Sequence, residues 1–353
     1  MILAGDIGGT KTHLALFEWK QERTEPIRSE SFHSADYGAL EEILHEFLTP
    51  PTPATPIAEL SAPTGEVAEG VSSRSEAPFR IDAACFGIAG PVINNHSRTT
   101  NLPWIVDGAA LAKHFDIPRV RLLNDLEATA HGILLLRPDE LHRLNAGTPP
   151  AEKQAIALIA AGTGLGESIL FWDGTRYRPM PSEGGHADFA PNNDQEIELL
   201  RHVRTQYLHV SYERVLSGPG IHAIYEYLRD TKKNEPTWLA EKIAAGNPAA
   251  EIAEAGLKGQ ADIAKQTLDI FAAIYGAEAG NLALKSMALN GVYVGGGIAP
   301  KLLDKLKDGT FMKAFVNKGR YKRLLSSIPV HVVLNDRSGL LGAASVAADL
   351  AQA

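Results

Sequence analysis

The chain has 353 residues, 44% of them apolar, which is enough to bury a large core and favours two domains or one large α/β unit over a small module. Its net charge of −8 and pI of about 5.9, with Lys and Arg scattered along the sequence, exclude the basic surface that nucleic acid or an anionic membrane requires. The single cysteine, Cys85, sits in an apolar run, so an intramolecular disulfide and a multi-cysteine zinc module are excluded and a core position is expected.

In chain order, residues 2–5 and 12–19 read as two strands joined by the turn at residues 6–11, a hairpin and not a strand running into a helix. A P-loop is thereby rejected, because its spacing and its following helix are both missing. The N-terminus shows no charged leader, long apolar core or cleavage site, and no apolar run reaches the roughly 20 residues a bilayer span needs. A cytoplasmic protein with small-molecule partners, no nucleic acid and no membrane contact is expected. Residues 39–47 have helical spacing. The stretch 50–78 is rich in Pro, Ser, Thr, Ala and Glu, the composition of a solvated insertion. A buried strand precedes Gly87-Ile88-Ala89-Gly90-Pro91, another covers residues 120–123, and a helix covers 126–136, which puts Asp125 at a strand-to-helix junction. In the second half, strands are expected at 155–160 and 167–172 around a glycine turn, then a loop at 181–191 and helices at 194–206 and 220–230. A long helix follows at 263–288, with Gly276 and Gly280 on one face so that a neighbour can approach closely. The rest reads as a strand at 291–294 ending in Gly295-Gly296-Gly297, a strand at 330–334 and a small-residue helix at 339–350. Both halves begin with a hairpin and a glycine turn, which suggests a duplicated core.

Four constellations carry chemistry. In Asp6-Ile7-Gly8-Gly9-Thr10-Lys11, the consecutive glycines let backbone N–H groups approach phosphate oxygens, Asp6 can hold Mg²⁺ directly or through water, and Lys11 can neutralise a transferring phosphate; the alternative is an ordinary tight turn. Gly162-Thr163-Gly164-Leu165-Gly166 lacks the dinucleotide spacing and runs into a strand, which leaves a second phosphate clamp or another hairpin turn. Asp125 can accept a proton from a substrate hydroxyl while Asn124 addresses a vicinal diol, although an Asn-Asp pair before a helix also reads as an N-cap. Finally, Ser182-Glu183-Gly184-Gly185-His186-Ala187-Asp188 and Glu213-Arg214 offer planar polar groups to a sugar. A His186–Asp188 metal site and a surface Glu213–Arg214 ion pair are the competing readings.

The order of these motifs resembles the bacterial glucokinase family, within the hexokinase, actin and Hsp70 ATPase superfamily, over almost the whole chain. Asp6-Ile7-Gly8-Gly9-Thr10 is similar to its first phosphate motif, Thr100-Asn101-Leu102-Pro103-Trp104 to a small-domain signature, and Leu123-Asn124-Asp125 to its catalytic segment. The resemblance implies an α/β, two-domain actin-like ATPase (ribonuclease H-like) fold with an interdomain active-site cleft that closes on sugar. The small domain would be residues 1–135 completed by 333–353, and the large domain 136–332. The implied activity is ATP- and Mg²⁺-dependent phosphorylation of glucose at its 6-hydroxyl, with Asp125 as base and Asn124, Glu183, His186, Glu213 and Asn101 on the sugar. Asp6, Gly8, Gly9, Thr10, Lys11, Gly162, Thr163, Gly164, Gly218, Gly296 and Gly297 would serve ATP, and the working unit would be a homodimer. Two departures stand out: the 50–78 insertion has no counterpart in the family pattern, and Lys11 replaces a common Asn. The cysteine-rich zinc motif and N-terminal helix-turn-helix of the related ROK proteins are missing, so no zinc is expected. Alternatives are a kinase for another hexose, a sugar-sensing regulator without turnover, or an ATPase of the Hsp70 type. ADP and polyphosphate remain open as donors.

Overall fold

The computed structural model describes residues 1–20, 23–49, 80–99 and 102–353. The expected insertion at 50–78 and the candidate sugar residue Asn101 both lie outside the described residues. The chain forms two compact units, Met1–Leu123 with Ala343–Ala353, and Asn124–Gly342.

The first unit opens with the expected hairpin, β1 (Ile2–Ile7) and β2 (Lys11–Phe17), followed by β3 (Arg28–His33) and helix α1 (Leu40–Leu48). After β4 (Ala83–Ile88) come three short strands, β5 (Val92–Ile93), β6 (His96–Arg98) and β7 (Ile105–Asp107), then α2 (Gly108–His114) and β8 (Val120–Asn124). The main sheet has the order β3-β2-β1-β4-β8, with β1 antiparallel to β2 and parallel to β4. Every residue of β4 is buried, as a central strand covered on both faces requires, and Cys85 is among them. Strand β3 escapes the sequence reading because only Phe32 of its six residues is buried, leaving little apolar alternation.

The second unit begins with α3 (Asp125–Ile133), β9 (Leu141–Asn145), β10 (Ile156–Ala161), β11 (Leu165–Trp172) and β12 (Tyr177–Ser182). Helices α4 (Asp194–Val203), α5 (Gly218–Lys232), α6 (Thr237–Ala245), α7 (Pro248–Leu257) and α8 (Asp262–Ser286) precede β13 (Val292–Gly295). The chain ends with α9 (Leu303–Lys307), α10 (Thr310–Phe315), α11 (Lys322–Ser326), β14 (Val330–Val333) and α12 (Ser338–Gln352). Its sheet runs β12-β11-β10-β13-β14-β9, so β12 through β14 repeat the order of β3 through β8. In each, the first hairpin is antiparallel and a later strand lies parallel beside its first member. The expected duplication is therefore present in topology, where sequence similarity between the halves is faint.

The unit boundaries fall at Leu123/Asn124 and Gly342/Ala343, not at 135/136 and 332/333. Packing accounts for the difference. Ala130 and Ile133 of α3 share a core with Ile156, Leu158 and Leu170 of the second sheet, and Leu126 rests on Gly166. Helix α3 follows the first sheet in sequence but buries its apolar face in the second.

Gly276 and Gly280 of α8 do admit a neighbour: a Cβ on Gly276 would overlap the backbone carbonyl of Phe311, and one on Gly280 would come within 2.6 Å of that of Phe315. Helix propensity alone makes Gly276→Ala stabilising by about 1 kcal/mol. The opposite sign is expected, a loss of about 1–3 kcal/mol, because the obstructing atom is backbone and cannot rotate away. Urea denaturation midpoints of the two proteins decide the sign.

Candidate active site

The second unit organises its functional residues around the end of the β10–β11 hairpin. Strand β10 is a run of apolar residues, buried at five of its six positions, and it stops where Gly162 N–H donates to Gly164 O at 2.8 Å. Two other glycine-bearing turns meet it there. Gly218 N–H, at the start of α5, donates to Gly162 O at 2.9 Å, and Ile298 N–H, after the Gly296-Gly297 turn, donates to Ala161 O at 3.2 Å. Gly296 has φ +79, and a side chain there would also strike Ala161. Gly162 and Gly297, by contrast, face open space, so a ligand can approach their backbone directly. Helix α5, N-capped by Ser217, brings its positive dipole end to the same turn, an arrangement that favours phosphate.

The polar side chains of the proposed sugar site attach to this hairpin. Glu213 Oε2 accepts from Leu165 N–H at 3.0 Å, while Arg214 stacks on the Tyr207 ring at 4.1 Å. The two neighbours thus have separate partners, in place of the surface ion pair considered above. Glu183 precedes and His186 ends a 3-10 turn, Gly184–His186, whose Gly185 packs against Leu165. His186 Nε2 lies 3.9 Å from Glu183 Oε2, whereas Asp188 accepts from His209 at 2.7 Å. Asp188 is therefore engaged by a histidine that the sequence reading did not single out, and the described residues hold no group of three or more His, Cys, Asp or Glu able to bind a metal.

Asn124 and Asp125 end β8 and begin α3. The N-cap reading of Asn124 is borne out: its side chain caps α3 by accepting from Leu126 N–H at 3.0 Å. Desolvation raises the pKa of Asp125, and the charge of Glu183 adds to the rise. Hydrogen bonds from Leu126 N–H, its own N–H and Asn124 oppose it. A carboxylate held this way is more basic than an exposed aspartate, which suits proton abstraction from a hydroxyl.

In the first unit, Asp6 is half-buried near the end of β1, opposite His13, and Gly8 N–H closes the turn onto Lys11 O at 2.9 Å. Thr10 and Lys11 are exposed. The turn is braced by the fully buried Ser34, whose N–H donates to Thr10 O at 3.0 Å and whose hydroxyl donates to Gly8 O at 2.8 Å. A lone serine far from the glycines carries no sequence pattern that would reveal this role.

Duplicated sheets with glycine turns at the hairpin ends and a basic carboxylate at a strand-to-helix junction define a phosphotransferase of the two-domain actin-like ATPase class. Comparison with known proteins narrows this. The family model described as Glucokinase matches residues 3–350. A glucokinase of Trichormus variabilis is 41% identical over 367 aligned residues, covering 99% of both chains. The crystal structure of a glucokinase from an Antarctic psychrotroph superposes with a TM-score of 0.79 at 27% identity, covering 99% of this chain and 98% of that one. A glucokinase from Balamuthia mandrillaris shares the fold with a TM-score of 0.75 at 18% identity, over 98% and 93% of the two chains. The chain belongs to the glucokinase family.

Proposed function

We propose that this protein transfers the γ-phosphoryl group of ATP to the 6-hydroxyl of D-glucose, giving glucose 6-phosphate for glycolysis. The observation that carries the reading is the gathering of Glu213, the Glu183–His186 turn and the Asp125-Leu126 junction on one hairpin whose glycine turn also meets the α5 N-terminus. In this scheme Asp125 takes the hydroxyl proton as the oxygen attacks the γ-phosphorus, the bond to the β-phosphate oxygen breaks, and ADP leaves. Asn124, Glu183, His186, Glu213 and Asn101 orient the sugar. Gly162, Thr163, Gly164, Gly218, Gly296 and Gly297 bind the nucleotide, together with Gly8, Gly9, Thr10 and Lys11.

Asp6, half-buried near the end of β1 beside the turn that Gly8 N–H closes onto Lys11 O, would hold Mg²⁺ directly or through water, since this ion keeps several waters and takes one or two carboxylates plus substrate phosphates, not an all-protein cage. When bound it neutralises phosphate charge. The cytoplasmic homodimer follows the family resemblance; among the described residues, no helix is long and apolar enough to cross a membrane.

The test is ADP formation from MgATP with and without glucose, beside mannose, fructose and N-acetylglucosamine, with ADP and polyphosphate as competing donors. Glucose-dependent release from MgATP is expected. Release with another sugar only would move the assignment to that hexose, and no release with any sugar would sink the kinase reading in favour of a sugar-binding regulator.

A further inference from the structure

Beneath the two loops assigned to the sugar lies an acidic pair that the phosphoryl-transfer scheme does not use. Glu167 of β11 is 2% exposed and Glu278 of α8 is fully buried. Glu167 Oε1 is buried yet finds no hydrogen-bond partner among the described residues, and the Glu278 carboxylate lies close enough to the Glu167 side chain for the two to share a hydrogen bond. Two ionised carboxylates in such a place would repel each other without water to screen them. A proton on the Glu167 carboxyl gives the pair a donor toward Glu278 and removes the repulsion.

Each member touches a different sugar loop. Gly184, next to Glu183, sits directly against Glu167 Oε2, so closely that a Cβ there would overlap it. Glu278 is linked to the other loop: Asn281 Nδ2 donates both to Glu278 Oε2 at 2.7 Å and to the hydroxyl of Tyr212, the neighbour of Glu213, at 3.0 Å. The loops are also tied to one another, Tyr212 N–H donating to Ala187 O at 3.0 Å.

We propose that Glu167 is a positioning residue that holds a proton shared with Glu278, and that this proton sets the Glu183–His186 turn and Glu213 in register for the sugar. The inference rests on the glucose reading above. Burial and the Glu278 charge push the Glu167 carboxyl up to about 8, with Lys285 opposing the rise. Among the charged and titratable groups around the pair, the Tyr212 hydroxyl senses Glu278. Lys285 Nζ is 3.4 Å from Glu278 Oε1, and Lys318 reaches Asn281 Oδ1 at 2.5 Å. Glu196 of α4 acts on Lys318, and the Tyr275 hydroxyl senses Glu167. Glu183 and His186 stand on the turn above.

The sign of the pH effect follows. The folded state holds the proton more tightly than the unfolded chain, where an ordinary glutamate has a value near 4.5. Stability is therefore fully present below that value and falls as pH rises toward about 8. Loss of the proton should loosen both loops together, weakening sugar binding before chemistry.

The experiment follows kcat and KM for glucose from pH 6 to 9 in the wild type, Glu167→Gln and Glu167→Ala, with an infrared measurement of protonated carboxyl at neutral pH. In the wild type, KM should rise by about tenfold across the alkaline limb with kcat little changed. Glu167→Gln, neutral at every pH and still able to donate to Glu278, should keep the neutral-pH KM and lose the rise. Glu167→Ala should have a high KM throughout; if it fails to fold, the glutamine variant and the wild-type profile still decide. A protonated-carboxyl band present in the wild type and missing from Glu167→Gln is expected. An identical KM profile in the wild type and Glu167→Gln, or no such band, overturns the proposal. Wild type inert toward glucose but showing the band sinks the glucose reading and with it the positioning role, while the shared proton stands.

Discussion

Asp125→Asn should lower kcat by about 10²–10⁴-fold, the range that a positioned general base contributes, which corresponds to about 3–5 kcal/mol of barrier. Affinity for glucose should change little, because the substituted amide keeps the size of the side chain and Asn124 still caps α3. The wild-type pH profile adds a second check. A base works ionised, and desolvation with the neighbouring Glu183 charge raises the Asp125 pKa. The acid limb of kcat/KM should therefore lie above the ordinary aspartate range, with activity rising as pH increases through it, and this limb should vanish from the residual activity of Asp125→Asn. Steady-state rates of ADP release give both readouts, and an unchanged kcat would remove Asp125 from the mechanism.

Glu213→Ala should raise KM for glucose by about 10–150-fold, since a hydrogen bond to a charged group contributes about 1.5–3 kcal/mol. The carboxylate accepts from Leu165 N–H within the β10–β11 turn region, so its removal also frees a donor beside the glycine turn proposed to hold phosphate. A smaller rise in KM for ATP should accompany the loss of sugar binding. Equal effects on the two substrates would place Glu213 in support of the turn, and an effect on ATP alone would remove it from the sugar.

These two residues show unequal legibility. Asp125 is visible in sequence because an apolar strand, an Asn-Asp pair and a helical pattern follow one another without interruption. Glu213 has no such local frame: it occupies a short 3-10 turn, and in the chain it reads only as one more carboxylate able to address a sugar or to pair with Arg214. Ser34, His209 and Glu167 were not found at all. Each acts through a partner distant in sequence, and Glu167 in particular reads in the chain as one polar residue of an alternating strand, although it is buried.

Periodicity and turn chemistry are properties of neighbouring residues, so the sequence by itself determined the two hairpins, the glycine turns, the long helix α8 and the position of Asp125 between strand and helix. The strand order common to both sheets depends on pairing between segments far apart in the chain, and tertiary structure alone revealed it. The same holds for helix α3: its apolar face would suit either sheet, and contact with Ile156, Leu158 and Leu170 assigned it to the second unit. The buried acid pair is the limiting case, because the proton on Glu167 follows from desolvation and from Glu278, and neither exists until the chain has folded.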